Sequence, residues 1–245
     1  MSLLEARGLA KRFGGVQAVA ALDLDVADGE VVGLIGPNGA GKTTAFNLLS
    51  GFLQPDAGEI RFRSHSVVGW KPHAICALGL ARTFQIVRPF PRLTVLHNVL
   101  VGALARHPHA AAARARAREV VERVGLGAKA AAPAAGLTLA ERKRVELARA
   151  LATEPTLLLL DEVMAGLNPT EIATVVDLVR DIHARGVSIV LIEHNMRAVM
   201  ALSHRIVVLS FGERVAEGRP AEIARHPRVI EAYLGEEYVD AAPAR

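Results

Sequence analysis

The chain has 245 residues, enough for one large domain with a substantial buried core. Its 29 lysine and arginine residues are nearly balanced by 25 acidic residues, so the net charge of +4 gives no case for a nucleic-acid partner. The mean hydropathy of +0.28 is high, but charged or turn residues interrupt every apolar run before the roughly 18 residues needed to span a bilayer.

The first residues bear on targeting, and the cysteine content bears on the redox compartment. Residues 1–7 contain no basic region followed by an apolar core, so we expect no cleaved signal peptide. Cys76 is the single cysteine, which excludes an internal disulfide and is typical of a reducing compartment.

The N-terminal part of the chain predicts strands with one buried face. Apolar and charged residues alternate at positions 4–7 and again at 22–26. Between these strands, residues 12–15 read Arg-Phe-Gly-Gly and predict a turn. The ring of Phe13 could stack on a nucleobase or pack in the core, and both interpretations stay open at this point.

The most specific motif is a glycine-rich loop between a predicted strand at 31–35 and a predicted helix at 44–49. Residues 36–43 match G-x-x-x-x-G-K-[ST], the phosphate-binding loop. Its glycines let backbone N–H groups turn toward a polyphosphate. Lys42 is expected to reach the β- and γ-phosphates, and the Thr43 hydroxyl to bind Mg²⁺. The predicted nucleotide contacts in this segment are Gly36, Pro37, Asn38, Gly39, Ala40, Gly41, Lys42, Thr43 and Thr44.

Beyond the phosphate loop the sequence predicts a strand and an irregular segment, and then its composition changes. A turn signal at 55–58 precedes a short predicted strand at 59–63. Residues 77–85 are interpreted as a helical lead-in to Gln85, and two prolines exclude regular structure just after it. From residue 94 to residue 151 the chain is rich in Ala, Arg and Val, which predicts an inserted helical subdomain.

Two further strands are predicted to lie parallel in a sheet covered on both faces. The first is the apolar run at 157–160, and the second is the run at 187–192. The helix between them carries one apolar face and makes a βαβ unit with a right-handed crossover. The apolar face comprises Ile172, Val175, Val176, Val179 and Ile182.

Acidic residues follow the first of these strands, at the sheet edge where ligands bind in open α/β folds. We predict that Asp161 holds Mg²⁺ directly or through water, and that Glu162 polarises a water molecule for attack on the γ-phosphate. The alternative is that the two acids only cap a helix. His194 lies just after the second strand, and it could be a purely structural hydrogen-bonding residue.

The C-terminal part predicts a hairpin between 205–209 and 213–217, with a turn at Phe211-Gly212. Residues 221–234 predict short helices broken at Pro227. The final residues, 240–245, are typical of a frayed tail.

Five features follow one another along the chain: the phosphate loop, Gln85, a signature-like stretch, the Leu-Leu-Leu-Leu-Asp-Glu segment and His194. In this order they resemble the ATP-binding subunits of ABC transporters over nearly the full length. Residues 13–19, 81–85 and 227–235 are similar to the importers of branched-chain amino acids. The fold implied is an α/β P-loop nucleoside triphosphatase core with a mainly parallel sheet, an N-terminal antiparallel β-subdomain and an inserted helical subdomain.

The resemblance also implies a division of the chain. A single ATPase domain is expected over residues 1–236. Within it, 1–90 and 152–236 form the nucleotide-binding core with its β-subdomain, and 91–151 form the helical subdomain. Residues 237–245 are left as a C-terminal tail.

Roles for individual residues follow from the resemblance. Phe13 would stack on adenine. Gln85 would contact the metal and the attacking water while sensing the membrane subunit. Glu162 would be the general base, and His194 would hold the γ-phosphate and the water in register. Lys42 would join them as a catalytic residue on the phosphates.

The signature stretch departs from the family pattern Leu-Ser-Gly-Gly-Gln, because residues 137–141 read Leu-Thr-Leu-Ala-Glu. Thr138 keeps a hydroxyl for a phosphate oxygen. Ala140 replaces a glycine, and its added Cβ can restrict the approach of a nucleotide. Asn168 stands where the superfamily usually has Asp, and the same residue also predicts a helix cap.

Partners and location are likewise implied by the resemblance. Two ATP-binding subunits, identical or not, would sandwich ATP and Mg²⁺, with transmembrane permease subunits and indirectly a substrate-binding protein completing an importer. The chain would lie on the cytoplasmic face of the inner membrane. Two alternatives stay open. They are an ABC ATPase of DNA repair or translation, and a nucleotide-gated binding module with weak hydrolysis.

Overall fold

The computed structural model describes residues 2–231, and every structural statement below concerns this part of the chain. The strands are β1 (Ser2–Phe13), β2 (Val16–Ala27), β3 (Val31–Ile35), β4 (Ala57–Phe62), β5 (His65–Ser66), β6 (Leu80–Arg82), β7 (Leu157–Asp161), β8 (Ser188–Ile192), β9 (Arg205–Ser210) and β10 (Glu213–Gly218). The helices are α1 (Lys42–Leu49), α2 (Pro72–Leu78), α3 (Val95–Leu104), α4 (Ala110–Arg123), α5 (Leu139–Leu151), α6 (Pro169–Ala184), α7 (Met196–Leu202), α8 (Pro220–Ile223) and α9 (Pro227–Val229).

The strands form two sheets, as the sequence predicts. An antiparallel sheet has the order β2-β1-β4-β5, and a second sheet has the order β10-β9-β3-β8-β7-β6. In the second sheet β9, β3, β8, β7 and β6 are parallel, and only β10 runs antiparallel. The predicted α/β class with a mainly parallel sheet and an antiparallel N-terminal sheet is therefore confirmed.

The mainly parallel sheet has an apolar core on each face, because successive side chains of a strand point to opposite faces. In β3, Val31 and Ile35 join the core that includes the helical region, while Val32 and Leu34 join the core shared with α1 and the antiparallel sheet. This double burial explains why the strands read as unbroken apolar runs. It also holds the ends of these strands in fixed positions.

Between β6 and β7 the structure contains α3, α4 and α5 with two short 3-10 turns. The predicted helical character of this region is confirmed, whereas the subdomain boundaries at 91 and 151 stay a prediction. The predicted apolar face of α6 is also confirmed, since Val175, Val179 and Ile182 are buried and Ile172 and Val176 pack partly buried against the same core.

Two local predictions were wrong. Residues 12 and 13 belong to β1, where Phe13 pairs with Val16, so the turn consists of the two glycines alone. The segment before Gln85 is not continuously helical. Helix α2 ends with Gly79 in the left-handed region (φ 118°), and β6 then pairs in parallel with β7. A three-residue strand is too short to show a period in sequence, and its pairing with β7 makes it a strand.

The C-terminal hairpin is confirmed as β9 and β10, joined through Phe211 and Gly212 with positive φ angles of 47° and 80°. Pro227 begins α9, as its fixed φ favours. The predictions for residues 232–234 and for the tail at 237–245 lie outside the described residues. Within residues 2–231, no helix is both long enough and apolar enough to cross a membrane.

Candidate active site

The predicted site residues gather at one edge of the mainly parallel sheet. The phosphate loop follows β3, Gln85 follows β6, Asp161 ends β7, and His194 follows β8. These four strands are neighbours in the order β3-β8-β7-β6 and run parallel, so their carboxyl ends share the same edge. Open α/β sheets bind ligands at this edge.

The phosphate loop is packed so closely on other strands that two of its glycines accept no side chain. A Cβ built on Gly36 (φ 152°) would lie 2.1 Å from the carbonyl oxygen of Leu209 in β9. A Cβ on Gly41 (φ 100°) would lie 2.2 Å from the carbonyl oxygen of Ala18 in β2. The glycines therefore serve both the loop's conformation and its contact with the two neighbouring strands.

Lys42 lies at the centre of the loop. Its Nζ donates to the carbonyl oxygens of Gly36 at 2.7 Å and Pro37 at 2.9 Å, and the side chain is buried. Burial lowers the pKa of Lys42 below its ordinary value, and the carboxylates of Glu162 and Asp161 act in the opposite direction. The Lys42 ammonium group is thus held by two carbonyl oxygens of the loop, and the carboxylates of Glu162 and Asp161 are close enough to act on it.

Asp161 is buried and uses only one of its carboxylate oxygens within the described chain. Its Oδ2 accepts a hydrogen bond from Arg82 at 2.9 Å, while the buried Oδ1 has no hydrogen-bond partner. Burial raises the pKa of Asp161, and the Arg82 guanidinium offsets part of that rise. A buried carboxylate oxygen without a partner is costly unless a ligand or water satisfies it.

This unsatisfied oxygen fits a Mg²⁺ ion. Thr43 and Gln85, the other two predicted metal ligands, line the same cavity as Asp161. All three side chains offer oxygen atoms, which Mg²⁺ prefers, and one carboxylate with substrate phosphates is a usual arrangement. No group of three or more His, Cys, Asp or Glu residues in the described part could hold a metal ion.

Arg82 is a site residue that sequence reasoning missed. Besides Asp161, its guanidinium donates to Asn47 Oδ1 at 2.6 Å and Ser50 Oγ at 3.2 Å, both in or next to α1. It also lies 4.9 Å from the centre of the Phe84 ring, with the Phe52 and Phe46 rings at 5.6 and 5.8 Å. The only sequence signal for Arg82 was its place in the segment 81–85 that carries the family resemblance.

Gln85, Glu162 and His194 meet directly, although they lie in three separate segments. Gln85 Nε2 donates to Glu162 Oε2 at 2.7 Å, and His194 Nε2 lies 3.1 Å from Glu162 Oε1. Glu162 itself has a positive φ of 50°. Such a conformation is unfavourable for a residue with a side chain and is concentrated at functional sites. The structure therefore brings the predicted base and its two predicted helpers into one cluster.

Phe13 stands apart from that cluster. Its ring lies at the end of β1, is about half exposed, and has the Lys11 ammonium 5.8 Å from its centre. Core packing is therefore not its role, and a half-exposed ring leaves one face for stacking. That Phe13 stacks on adenine stays a prediction.

The signature residues are used locally. Thr138 caps α5 by accepting a hydrogen bond from the Glu141 amide at 3.3 Å, and the Glu141 carboxylate accepts one from the Thr138 amide at 3.0 Å. Ala140 is only 8% exposed, whereas Leu139 is 43% exposed. The Ala140 methyl group is therefore turned mainly into its own subunit. The role of Thr138 and Ala140 in nucleotide binding stays a prediction.

Asn168 performs the structural role that the sequence predicted for it. Its Oδ1 accepts from the Glu171 amide at 3.0 Å, and the Glu171 carboxylate accepts from the Asn168 amide at 3.0 Å, so the two residues form a capping box at the start of α6.

Both the sequence and the fold match known proteins. The family described as ABC transporter matches residues 19–165, and the family described as branched-chain amino acid ATP-binding cassette transporter matches residues 213–239. The chain is 41% identical to the high-affinity branched-chain amino acid transport ATP-binding protein LivG of Salmonella typhimurium. The alignment covers 96% of this chain and 98% of LivG. It is also 41% identical to BraF of Pseudomonas aeruginosa, with the same coverage.

Solved structures agree with the sequence relatives. The fold matches the ADP conformation of MJ1267, an ATP-binding cassette of an ABC transporter, with a TM-score of 0.87 and 29% identity over 96% of this chain and all of that one. It also matches cbiO1 of Clostridium perfringens, with a TM-score of 0.83 and 26% identity over 95% of this chain and 94% of that one.

Proposed function

The chain belongs to the ATP-binding subunits of ABC transporters, and we propose that it powers the uptake of branched-chain amino acids or of related amides and carboxylates. It is an ATPase by family. The identity of 41% over nearly the full length of LivG and BraF supports the substrate class. Contacts to the transported molecule would lie in the membrane and receptor subunits.

The contact of Gln85, Glu162 and His194 carries the hydrolytic proposal. A water molecule placed between this cluster and the phosphate loop attacks the γ-phosphorus, its proton passes to Glu162, and the bond from the γ-phosphorus to the bridging oxygen of ADP breaks. His194 and Gln85 each contact one carboxylate oxygen of Glu162, so they fix the direction in which the base accepts the proton.

The phosphate loop supplies the electrostatic part of the proposal. The loop amides and Lys42 neutralise the β- and γ-phosphates, and the carbonyl contacts of Lys42 exchange for phosphate oxygens when ATP binds. Thr43, Gln85 and Asp161 would hold Mg²⁺, which would supply positive charge to offset the negative charge that develops on the phosphates. Phe13 would stack on the base.

Assembly completes the proposed mechanism. Two ATP-binding subunits, identical or different, would face each other so that Thr138 and Ala140 of one approach the nucleotide of the other. The segment after Gln85 exposes the apolar side chains of Ile86 and Phe90, which supports docking on a permease subunit. Through that contact the chain would lie on the cytoplasmic face of the inner membrane, and the permeases would receive substrate from a binding protein.

Steady-state ATP hydrolysis of the purified chain with Mg²⁺ tests the proposal, with Glu162→Gln as the variant. Loss of the base lowers kcat about 100-fold or more, while ATP binding is retained because the phosphate loop is untouched. Light scattering with ATP is expected to show a dimer of the variant. If the wild-type chain is inactive alone, the assay is repeated on the complex co-expressed with its permeases.

A second candidate is a nucleotide-gated module with weak hydrolysis. The departure at 138–141 favours it, because Leu139 and Ala140 occupy positions where the family has glycine. Equal and very slow turnover of the wild-type protein and Glu162→Gln in the complete transporter, with ATP-dependent dimerisation preserved, would support this candidate over the first.

A further inference from the structure

Two charged side chains lie buried on one face of α5, against the segments that carry Gln85 and Glu162. Lys143 and Glu146 are three residues apart on the helix and both are buried. Burying a charge is expensive unless it is paired and hydrogen-bonded. Their partners therefore indicate why the helix carries them.

Glu146 binds the backbone on both sides of Gln85. Its Oε1 accepts from the amide of Phe84 at 3.0 Å, and its Oε2 accepts from the amide of Arg88 at 3.3 Å. The segment it holds is an irregular loop whose side chains are mostly exposed. One buried carboxylate thus attaches this loop to α5 at two points, with Gln85 between them.

Lys143 binds the backbone of the predicted base. Its Nζ donates to the carbonyl oxygen of Glu162 at 2.7 Å, and the amide of Glu162 donates to the carbonyl oxygen of Ile192 at 2.9 Å. Both backbone polar groups of Glu162 are therefore held. A residue with φ of 50° keeps that conformation only where its surroundings enforce it.

Glu193 completes the cluster from the end of β8. It is 2% exposed, and its Oε1 accepts from the amide of Met164, two residues after Glu162, at 2.8 Å. Its neighbour in the chain is His194. The three buried side chains consequently contact or adjoin each of the segments that carry Gln85, Glu162 and His194.

We propose that Lys143, Glu146 and Glu193 are positioning residues that hold the backbone segments carrying Gln85 and Glu162, so that Gln85 Nε2 and Glu162 Oε2 stay at the observed 2.7 Å. This inference rests on the proposed hydrolytic role of that cluster. None of the three contacts the reacting atoms, so each acts through the residue it holds. Small errors in such placement are costly, because proton transfer needs hydrogen-bond reach.

Turnover by the full-length chain, or by its complex with the permeases if the chain alone is inactive, tests the inference with Lys143→Met and Glu146→Gln. We expect kcat to fall between about tenfold and about 100-fold, with the KM for ATP nearly unchanged. Lys143→Arg, which keeps a donor, is expected to recover part of the loss. The matched control is Arg144→Met on the same helix, because Arg144 donates only to carbonyl oxygens of Val124 and Gly125 in the described chain.

A double-mutant comparison shows whether Glu146 acts through Gln85. If it does, Gln85→Ala costs clearly less in the Glu146→Gln background than in the wild type. Fully additive effects, or a loss seen in KM rather than in kcat, would overturn the inference. Amide hydrogen exchange adds a readout independent of turnover, since Phe84 and Arg88 should exchange faster in Glu146→Gln and remain unchanged in Arg144→Met.

The two proposals fail in different ways. If Glu162→Gln hydrolyses ATP as fast as the wild type, the proposed base is wrong, whatever Lys143→Met does. If Glu162→Gln is inactive but Lys143→Met and Glu146→Gln match the wild type in kcat, the base stands and only the positioning network is wrong.

Discussion

Two parts of the site are held together in opposite ways. At the strand ends, Arg82 bonds to Asp161 across 79 residues of sequence, and Glu146 bonds to the Phe84 amide across 62. At the start of α5, Thr138 and Glu141 bond to each other across three residues. The first part is buried and charged, and the second is at the surface. The proposed hydrolytic site is therefore assembled from segments that are distant in sequence, whereas the signature turn is held by a local helix cap.

The difference predicts how each part responds to substitution. A buried charge that loses its partner is left uncompensated, which costs several kcal/mol, whereas a lost cap costs about 1 kcal/mol. The strand-end cluster should consequently control both stability and turnover. The signature turn can change with little effect on the fold, as suits a segment proposed to serve the nucleotide of another subunit.

Arg82→Met should give the largest loss of stability. The buried Asp161 would lose its guanidinium partner, so we expect the free energy of unfolding to fall by about 3 to 5 kcal/mol. Urea denaturation measures it. The double variant Arg82→Met/Asp161→Asn removes both charges and should recover part of the loss. A single-variant loss under about 1 kcal/mol would mean that the pair is not a buried charge pair in solution.

Glu193→Gln should change how stability depends on pH. Burial raises the pKa of Glu193 from 4.5 to about 7, so the folded protein binds this proton more tightly than the unfolded chain. The contribution of Glu193 to the free energy of unfolding should therefore fall as the pH rises from 4.5 to about 7 and then stay level. The difference in free energy of unfolding between the wild type and Glu193→Gln should change over this range by about 3 kcal/mol.

The comparison of the wild type with Glu193→Gln is controlled, because the residues around position 193 are the same in both proteins. The groups that act on Glu193 are the side chains of Lys143 and Glu162 and the backbone amides of Met164 and His194, and all of them are present in both proteins. Urea unfolding at several pH values gives the two curves. Parallel curves across this pH range would show that Glu193 titrates normally in the folded protein.

Thr138→Ala tests the local cap. Loss of the hydroxyl that accepts from the Glu141 amide should lower the free energy of unfolding by about 1 kcal/mol. Thr138→Ser keeps the hydroxyl and should remain close to the wild type. A loss as large as that of Arg82→Met would contradict the contrast between a local and a long-range site.

Ala140→Gly should have the smallest effect. Glycine in the first turn of α5 costs at most about 1 kcal/mol, and turnover should stay near the wild-type value because the Ala140 methyl group is already largely buried in its own subunit. Turnover in the complete transporter is the measurement. A strong increase would instead show that the methyl group restricts the nucleotide, as the sequence alone suggested.

Several elements could be predicted because their signals are local. The glycine pattern at 36–43 needs a strand before it and a helix after it, and both are present as β3 and α1. The unbroken run before Asp161 predicted a doubly covered strand, and both cores confirm it. The capping box at Asn168 was equally visible, because its two partners lie three residues apart.

Other features were missed because their partners are distant in sequence. Strand β6 is three residues long and exists through its pairing with β7. The sequence around Arg82 did not indicate its role, because its partners Asp161, Asn47 and three aromatic rings come together only in the folded chain. Lys143 and Glu146 read as ordinary charges of a helix, although both are buried.

The sequence by itself determined the phosphate loop, the acids that end β7 and the membership of the ABC transporter family, because each rests on a short run of residues with a defined spacing. The tertiary structure alone decided which side chains meet. It brought Gln85 and His194 onto Glu162, buried Arg82 against Asp161, and aimed Lys143 and Glu146 at the backbone of the site. Such contacts depend on the order of strands in a sheet, and that order follows from how the whole chain packs rather than from any local pattern.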